Sequence, residues 1–205
     1  EQALLTSNHS VAVFSSPHLI DYRERVRIAG IMLTEKAHCS AFLKVDKARG
    51  DTSLTYFEFG TLAALQLMAD SDARYLLLEV GLGGRLDAVN LIDCDVAIVT
   101  SIALDHVDWL GGNIDVIGRE KAGIYRANKP AIIGDVDCPP SVSEYAHEIN
   151  AQCFQNGIDF KVENNVWTNL NGLVIDLPKT ELPAMIMAAV VQAVACLTFD
   201  IKPSQ

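Results

Sequence analysis

The sequence predicts an α/β protein with a mostly parallel sheet wound with helices. Two runs, at residues 75–80 and 96–100, have the composition of strands that are covered on both faces, and the first is apolar until Glu79. Segments with helical spacing alternate with such runs along the chain. Because strand and helix alternate several times, the strands are expected to pair mainly in parallel.

The other strands are indicated by short runs of β-forming residues. Residues 11–14 form an apolar run that stops near Pro17, which predicts a buried strand ending in a loop. Residues 23–28 alternate charged and apolar side chains, the pattern of a half-exposed strand before a turn at Gly30. Residues 131–133 predict one more short strand in the second half of the chain.

Helices are predicted by apolar spacing and by capping residues. Residues 34–48 have helical spacing, and Asn113 can cap a helix that runs to about residue 125. Thr55 and Ser141 are each followed three residues later by Glu, which is the form of a capping box. We therefore expect two further helices to begin at these residues.

The pattern weakens toward the C-terminus. Residues 160–162 and 173–177 are candidate strands around a turn at Asn171-Gly172. A last helix is predicted from Pro183. No internal repeat and no low-complexity linker divides the chain.

The composition argues against several classes of protein. With 205 residues, half of them hydrophobic, the chain can bury a full core as one α/β domain, and two small domains are possible but not required. A formal net charge of −10 disfavours nucleic-acid and anionic-membrane partners, which need clustered Lys and Arg. The longest apolar run, residues 185–197, is interrupted by Gln192 and is too short to cross a membrane. Five cysteines without a CxxC pair indicate reduced thiols and a cytoplasmic location.

The end of the strand at residues 75–80 holds the first candidate for chemistry. Glu79 is followed closely by Gly81, Gly83 and Gly84. Ligands of parallel sheets collect beyond the carboxyl ends of the strands, so Glu79 points toward a ligand site. For the glycines alone, a turn whose Glu is satisfied by backbone amides or an arginine is an equally good interpretation. Dinucleotide binding is disfavoured because the GxGxxG spacing is missing.

His106 follows the strand at residues 96–100 and should lie at the same rim of the sheet as Glu79. A carboxylate and an imidazole there can complete a Mg²⁺ site with waters and phosphate oxygens. A single His in a loop is more often structural, but ligands at both strand ends favour a metal. Lys121 belongs to an Arg-Glu-Lys string on a predicted helix, which in isolation indicates a solvated helix face.

Together these segments resemble the bacterial folylpolyglutamate synthase and dihydrofolate synthase family of the Mur ligase superfamily. The resemblance runs from about residue 11 to residue 134, and several long motifs occur in the family's order. The matching strings are Ser16-Pro17-His18-Leu19 with Glu24-Arg25, Thr55-Tyr56-Phe57-Glu58, and residues 79–87, 100–111 and 118–125.

The resemblance implies ATP-dependent amide formation. A pterin-linked carboxylate is phosphorylated to an acyl phosphate, and the amine of L-glutamate attacks it. The substrates would be dihydropteroate or reduced folates, L-glutamate and ATP, with Mg²⁺ stabilising charge on the phosphoryl oxygens. The complete protein is expected to be a cytoplasmic monomer that acts on both acceptors.

The resemblance also assigns roles to individual residues. It makes Glu79 and His106 metal ligands, and it makes Lys121 the family's active-site lysine, often carbamylated so that it binds a second Mg²⁺. His106 and Lys121 are therefore the expected catalytic residues. The expected substrate-binding residues are Arg25, Thr55, Phe57, Asp87 and Ala88.

The chain departs from the family pattern in three places. The family's phosphate loop, of the Gly-Thr-Asn-Gly-Lys-Gly-Ser kind, is absent from the sequence and would precede Glu1. Residues 1–205 are thus expected to be the central ATPase domain, truncated at its N-terminus and without the family's smaller C-terminal domain. Such a piece alone should bind ATP poorly and be inactive. Ala184 stands where an adenine-contacting Asn is expected.

Three other interpretations are open. Another Mur-type amino-acid ligase is disfavoured by the Ser-Pro-His-Leu and Thr-Tyr-Phe-Glu strings. A non-catalytic relative that has lost the phosphate loop would differ from a fragment in its upstream coding sequence. A nicotinamide-dependent oxidoreductase would need an early GxGxxG, which the sequence lacks.

Overall fold

The chain divides into two compact units in a computed structural model that describes residues 1–104 and 112–197. The first unit comprises Glu1–Leu82 and Asp87–Leu91, and the second comprises Gly83–Leu86 and Ile92–Gln205. Each unit has hydrophobic core residues of its own.

The first unit contains a four-stranded sheet and two long helices. The strand order is β3-β2-β1-β4, in which β1 pairs parallel with β4 and the other pairs are antiparallel. Two short 3-10 helices complete the unit, at Tyr22–Arg25 and Ala88–Leu91. The remaining elements are α1 (Gln2–Thr6), β1 (Val11–Phe14), β2 (Val26–Ile28), β3 (Ile31–Met32), α2 (Glu35–Arg49), α3 (Tyr56–Ala69) and β4 (Tyr75–Leu78).

Capping and burial explain why these segments fold as they do. All four residues of β1 are buried, which confirms the strand predicted at residues 11–14. Thr34 and Thr55 accept backbone N–H bonds at the starts of α2 and α3, and Thr55 forms the predicted capping box with Glu58. Both helices turn apolar side chains toward the core of the first unit.

Two predictions for the first unit need correction. Residues 75–80 were predicted to be covered on both faces, yet Leu76 is 47 % exposed and Leu77 is 40 % exposed. The reason is that β4 lies at the end of the strand order and has β1 as its one strand partner among the described residues. The strand predicted at residues 23–28 begins only at Val26, because the preceding residues form a 3-10 helix capped by Asp21.

The second unit contains two three-stranded sheets. Strands β5, β6 and β7 pair in parallel, and strands β10, β9 and β8 pair antiparallel. Its elements are β5 (Ala97–Val99), α4 (Ile114–Ala122), β6 (Pro130–Ile133), α5 (Pro140–Glu148), β7 (Gln152–Gln155), β8 (Phe160–Glu163), β9 (Val166–Asn169), β10 (Val174–Asp176) and α6 (Ala184–Cys196).

Two clusters of buried side chains hold the second unit together. One contains Tyr125, whose hydroxyl donates to the carbonyl oxygen of Ile132 at 3.1 Å. The other contains Trp167 and Ala188, which bring the antiparallel sheet and α6 into one core. Burial of these groups is what stabilises a unit with short strands. Among the described helices, none has the length and apolar character needed to cross a membrane.

The α/β class is confirmed, but one sheet is mixed, one is parallel and one is antiparallel. The parallel pairs are β1 with β4, β5 with β6 and β6 with β7, whereas four of the seven strand pairs in the described residues are antiparallel. The capping box predicted at Ser141 is wrong. Helix α5 begins at Pro140, a residue suited to the first helical position, and no side chain caps it.

Candidate functional site

Glu79 lies directly after β4, at the carboxyl end that the parallel partner β1 shares. Its backbone N–H donates to the carbonyl oxygen of Phe14 at 2.9 Å, so the residue continues the pairing of the two strands. Its carboxylate accepts the backbone N–H of Ser16 at 2.9 Å through Oε2. Oε1 has no hydrogen-bond partner among the described residues. The side chain is exposed, which leaves this oxygen free to bind a ligand.

Arg25 is the last residue of the first 3-10 helix and is a buried charged residue, at 8 % exposed. Its Nε donates to Nδ1 of His18 at 2.8 Å, and its guanidinium lies 5.7 Å from the ring centroids of both Tyr22 and Tyr56. These contacts fix the side chain through a hydrogen bond and two cation–π contacts. Its terminal NH₂ groups have no described hydrogen bond, so they are available to a substrate.

Thr55 has a structural role at the start of α3. Its Oγ1 accepts the backbone N–H of Glu58 at 3.2 Å, and its own N–H donates to the Glu58 carboxylate at 2.7 Å. The second bond is the largest cause of the lowered pKa of Glu58. The side chain of Thr55 also hydrogen-bonds the Glu58 carboxylate and lowers its pKa further, so an acceptor position on the hydroxyl oxygen is what remains for a ligand.

Phe57, Asp87 and Ala88 meet at the glycine-rich segment after β4. A Cβ built on Gly81 would lie 2.5 Å from Cζ of Phe57, so the glycine backbone lies directly against the ring. Asp87 Oδ2 accepts the N–H groups of Gly81 and Leu82 at 3.0 Å, and the 3-10 helix begins at Ala88. The structure therefore brings three of the five expected substrate residues together.

Lys121 lies in the last turn of α4, in the second unit. The side chain of Asn113 caps the start of this helix by accepting the N–H of Asp115 at 2.8 Å, as predicted. Lys121 is half-buried, and its ammonium has no hydrogen-bond or ion-pair partner among residues 1–104 and 112–197. A lysine without a carboxylate beside it is free to react or to bind an anion.

Gly84 explains how the end of α4 is held. A Cβ on Gly84 would lie 2.7 Å from the carbonyl oxygen of Glu120 and 2.8 Å from that of Lys121. Arg85 adds a backbone bond to the Glu120 carbonyl at 2.9 Å and a salt bridge to its carboxylate at 2.8 Å. The sequence did not predict that Gly84 packs against the end of α4, because its packing partners lie more than thirty residues away along the chain.

The predicted metal pair is described only in part. His106 lies outside the described residues, so its place relative to Glu79 stays a prediction. In the part of the chain that the structure describes, no three His, Cys, Asp or Glu side chains are grouped as a metal site.

Comparison with known proteins identifies the family. The family model of the Mur ligase middle domain matches residues 26–181, about three quarters of the chain. The chain belongs to the Mur ligase middle-domain family.

Several relatives of this Mur ligase domain are named dihydrofolate synthase/folylpolyglutamate synthase. The chain is 48 % identical over 187 residues to the dihydrofolate synthase/folylpolyglutamate synthase of Escherichia coli K12, covering 89 % of this chain and 44 % of that protein. It is 42 % identical over 206 residues to the protein of that name in Haemophilus influenzae, covering 98 % of this chain and 47 % of that one. The chain thus spans about half the length of these relatives.

Solved structures of related enzymes share the fold of this chain. E. coli FolC in complex with DHPP and ADP matches with a TM-score of 0.92 and 43 % identity, covering 97 % of this chain and 50 % of that one. A bifunctional folylpolyglutamate synthase/dihydrofolate synthase with Mn, AMPPNP and L-glutamate bound matches with a TM-score of 0.92 and 44 % identity, with the same coverage. These ligands are a nucleotide, a divalent metal, glutamate and DHPP.

Proposed function

We propose that this Mur ligase domain belongs to an ATP-dependent ligase that adds L-glutamate to dihydropteroate, to reduced folates, or to both. The observation that carries the proposal is the similarity to two dihydrofolate synthase/folylpolyglutamate synthases along nearly the whole chain. Relatives crystallised with DHPP, ADP and L-glutamate support the same substrates. We expect the enzyme in the cytoplasm, because all five cysteines are free thiols.

The donor chemistry around Glu79 fits a hard divalent cation. One carboxylate oxygen is held by Ser16 N–H, while the other has no hydrogen-bond partner among the described residues, and the residue is exposed. Mg²⁺ prefers oxygen ligands and keeps several waters, so one carboxylate oxygen is a suitable protein ligand. We propose Glu79 and His106 as ligands of Mg²⁺, and a relative with bound Mn supports a metal of this class. A bound cation would neutralise charge on the transferring phosphoryl oxygens.

Lys121 is the proposed second contributor to the metal chemistry. Its neutral amine would attack CO₂, forming an N–C bond, and the amine proton would pass to solvent. The product is a carbamate anion on the lysine, which can accept a cation where an ammonium cannot. No described residue pairs with the Lys121 side chain, which lies in the last turn of α4, and this supports its availability for the reaction.

The first unit supplies the proposed pterin site. Phe57 is only partly buried, so part of its ring is open to stack on a flat pterin. An ionised carboxylate has about four acceptor positions, and backbone amides take three of those on Asp87. The remaining position can accept a pterin N–H. The NH₂ groups of Arg25, which have no hydrogen bond among the described residues, can donate to a substrate oxygen. The hydroxyl oxygen of Thr55 can accept a substrate N–H, and the backbone of Ala88 follows Asp87 at the same segment.

The proposed reaction proceeds in two steps that conserve every atom. An oxygen of the acceptor carboxylate attacks the γ-phosphorus of ATP, the bond to the bridging oxygen breaks, and ADP leaves. The glutamate amine then attacks the acyl carbon, phosphate leaves and the amine loses a proton. The products are an amide, ADP and phosphate.

A coupled assay tests the assignment. The intact protein is mixed with ATP, Mg²⁺ and L-glutamate, and phosphate release is followed with dihydropteroate, with tetrahydrofolate, or with neither. We expect release that requires glutamate and at least one of the two acceptors. Release that is equal with and without acceptor, or no release with either one, would refute the proposed function.

A further inference from the structure

The loop between β1 and the first 3-10 helix is anchored by polar contacts at three places. We call residues 15–21 the clamp loop. At its start, Ser15 N–H donates to the carbonyl oxygen of Arg25 at 2.9 Å, and Ser16 N–H donates to the carboxylate of Glu79 at 2.9 Å. In its middle, His18 Nδ1 accepts the Nε–H of Arg25 at 2.8 Å. At its end, several backbone N–H groups converge on one side chain, Glu24.

Glu24 accepts three backbone N–H groups of the clamp loop. Leu19 donates to Oε2 at 2.7 Å, while Ile20 and Asp21 donate to Oε1 at 3.0 and 2.8 Å. In return, the Asp21 carboxylate accepts the N–H of Arg23 at 2.9 Å, which completes a capping box. These amides, that of Leu19 first, lower the pKa of Glu24, so the carboxylate that holds the loop is charged at neutral pH.

Apolar burial cannot be what fixes this conformation. Leu19 is 89 % exposed and Ile20 is 93 % exposed, so the two largest aliphatic side chains of the clamp loop bury almost nothing. Hydrogen bonds therefore contribute more to the shape of the loop than burial of these two side chains does. Three of the charge-assisted ones end on Glu24, and bonds of this kind are about twice as strong as neutral ones.

We propose that Glu24 is a positioning residue for Glu79. By fixing residues 19–21 it helps to fix the position of the Ser16 N–H, which holds Oε2 of Glu79 and would leave Oε1 available to a cation. No direct contact between Glu24 and Glu79 is described, so the effect passes through the short segment from Leu19 to Ser16. That segment includes Pro17, whose ring restricts the backbone. The role in metal binding rests on the proposed function, whereas the coupling to Ser16 does not.

The experiment compares Glu24→Gln with Asp70→Asn in the intact protein. Gln has the shape of Glu, but one of its two terminal groups is an NH₂ donor. That group cannot accept the backbone N–H that a carboxylate oxygen of Glu24 accepts. Asp70 is a matched control, because it is a hydrogen-bonded carboxylate of the same unit whose described partners, Lys44 and Gln66, lie outside the clamp loop. Amide exchange at Ser16 is measured by NMR without metal, and Mn²⁺ affinity is measured by electron paramagnetic resonance. Urea midpoints report whether each variant is folded.

We expect Glu24→Gln to accelerate exchange at Ser16 and at residues 19–21, and to weaken Mn²⁺ binding about tenfold, as loss of a supporting contact typically does. Asp70→Asn should change neither. An unchanged exchange rate at Ser16 in Glu24→Gln would overturn the proposal at any Mn²⁺ affinity. An Mn²⁺ affinity equal to that of the wild type would also overturn it. If the wild-type protein bound no Mn²⁺ while Ser16 responded to Glu24→Gln, the metal role in the proposed function would fail and the coupling would stand.

A second variant covers the case in which Glu24→Gln does not fold. Asp21→Asn weakens the reciprocal half of the capping box and leaves the three bonds to Glu24 in place. We expect a smaller acceleration at Ser16 and a smaller loss of Mn²⁺ affinity, about threefold. Wild-type values for both would overturn the proposal.

Discussion

The residues of the candidate site differ in how much of their bonding capacity the fold already uses. Glu79 and Asp87 each hold backbone N–H groups, yet each keeps an acceptor position. Thr55 is used as a helix cap, and Arg25 is fixed by His18 and two aromatic rings. Lys121 is the exception, because no described partner holds its ammonium. The fold therefore orients most of these residues, and among the described contacts it leaves bonding positions on Glu79, Asp87 and Arg25 for a ligand.

Replacing Lys121 by Ala should lower the ligation rate by about a hundredfold, because a metal-binding anion is worth several kcal/mol to the transition state. Short carboxylic acids added to the Lys121→Ala variant should restore part of the rate by replacing the carbamate. Lys161→Ala is the control, since Lys161 forms an exposed salt bridge with Glu163. The rates are measured by phosphate release. Unchanged ligation in Lys121→Ala would remove the proposed role.

Replacing Phe57 by Ala should weaken tetrahydrofolate binding about tenfold, because stacking of aromatic rings contributes about 1 kcal/mol beyond burial. Phe57→Leu keeps an apolar contact with Gly81 and should bind at an intermediate level. Isothermal titration calorimetry measures both affinities. Wild-type affinity in Phe57→Ala would place the pterin elsewhere.

At the scale of elements, local patterns predicted most of the first unit and less of the second. The capping box at Thr55, the cap at Asn113 and the buried strand β1 depend on a few adjacent residues, and all three are confirmed. Phe57 and Asp87 are expected substrate residues by resemblance, and the structure brings them to one segment. Their convergence could not be derived from spacing, because it depends on how α3 packs.

Physical reasons explain why the sequence patterns did not predict some of the elements. Strand β9 was not predicted because the turn before it contains Asn164 and Asn165, both at positive φ, in place of the usual Asn-Gly signal. Ser141 resembled a cap, but α5 begins one residue earlier at Pro140. The clamp loop carried a signal that was overlooked. Asp21 stands three residues before Glu24, which is the spacing of a capping box.

Gly84→Ala should destabilise the protein by about 1–3 kcal/mol, the usual cost of overpacking. The added Cβ meets backbone atoms of Glu120 and Lys121, which cannot move aside as a flexible side chain could. Because Lys121 would shift with the end of α4, we also expect slower ligation. Leu86→Ala, at a site 79 % exposed on the same segment, is the control. Urea unfolding checks the stability, and equal midpoints for Gly84→Ala and wild type would contradict the packing described for Gly84.

At the scale of the whole molecule, an acidic chain gains stability from carboxylates that are held in their charged form. The salt bridge and backbone bond from Arg23 lower the pKa of Asp21 from 3.8 to about 2. The pKa values of Glu24, Glu58 and Asp70 are also lowered, by backbone amides or by Lys44. All four residues belong to the first unit. Acid should therefore act on the clamp loop, which Asp21 and Glu24 hold, and on the two ends of α3, where Glu58 and Asp70 lie.

A carboxyl group whose pKa is lower in the folded state stabilises the protein above its unfolded pKa and loses that effect as the pH falls through its folded pKa. For Asp21 the loss should extend from near pH 3.8 down to about pH 2. We expect urea midpoints to fall over this range and to fall less steeply in Asp21→Asn. Midpoints independent of pH, or an equal slope in the variant, would contradict the contribution of Asp21.

The central claim is that the protein joins L-glutamate to a pterin-linked carboxylate by way of an acyl phosphate. It is tested most directly with dihydropteroate labelled with ¹⁸O in both carboxylate oxygens, supplied to the intact protein with ATP, Mg²⁺ and L-glutamate. Mass spectrometry of the products should show dihydrofolate that retains one ¹⁸O and phosphate that has gained the other. Phosphate without ¹⁸O, or no dihydrofolate, would contradict the account.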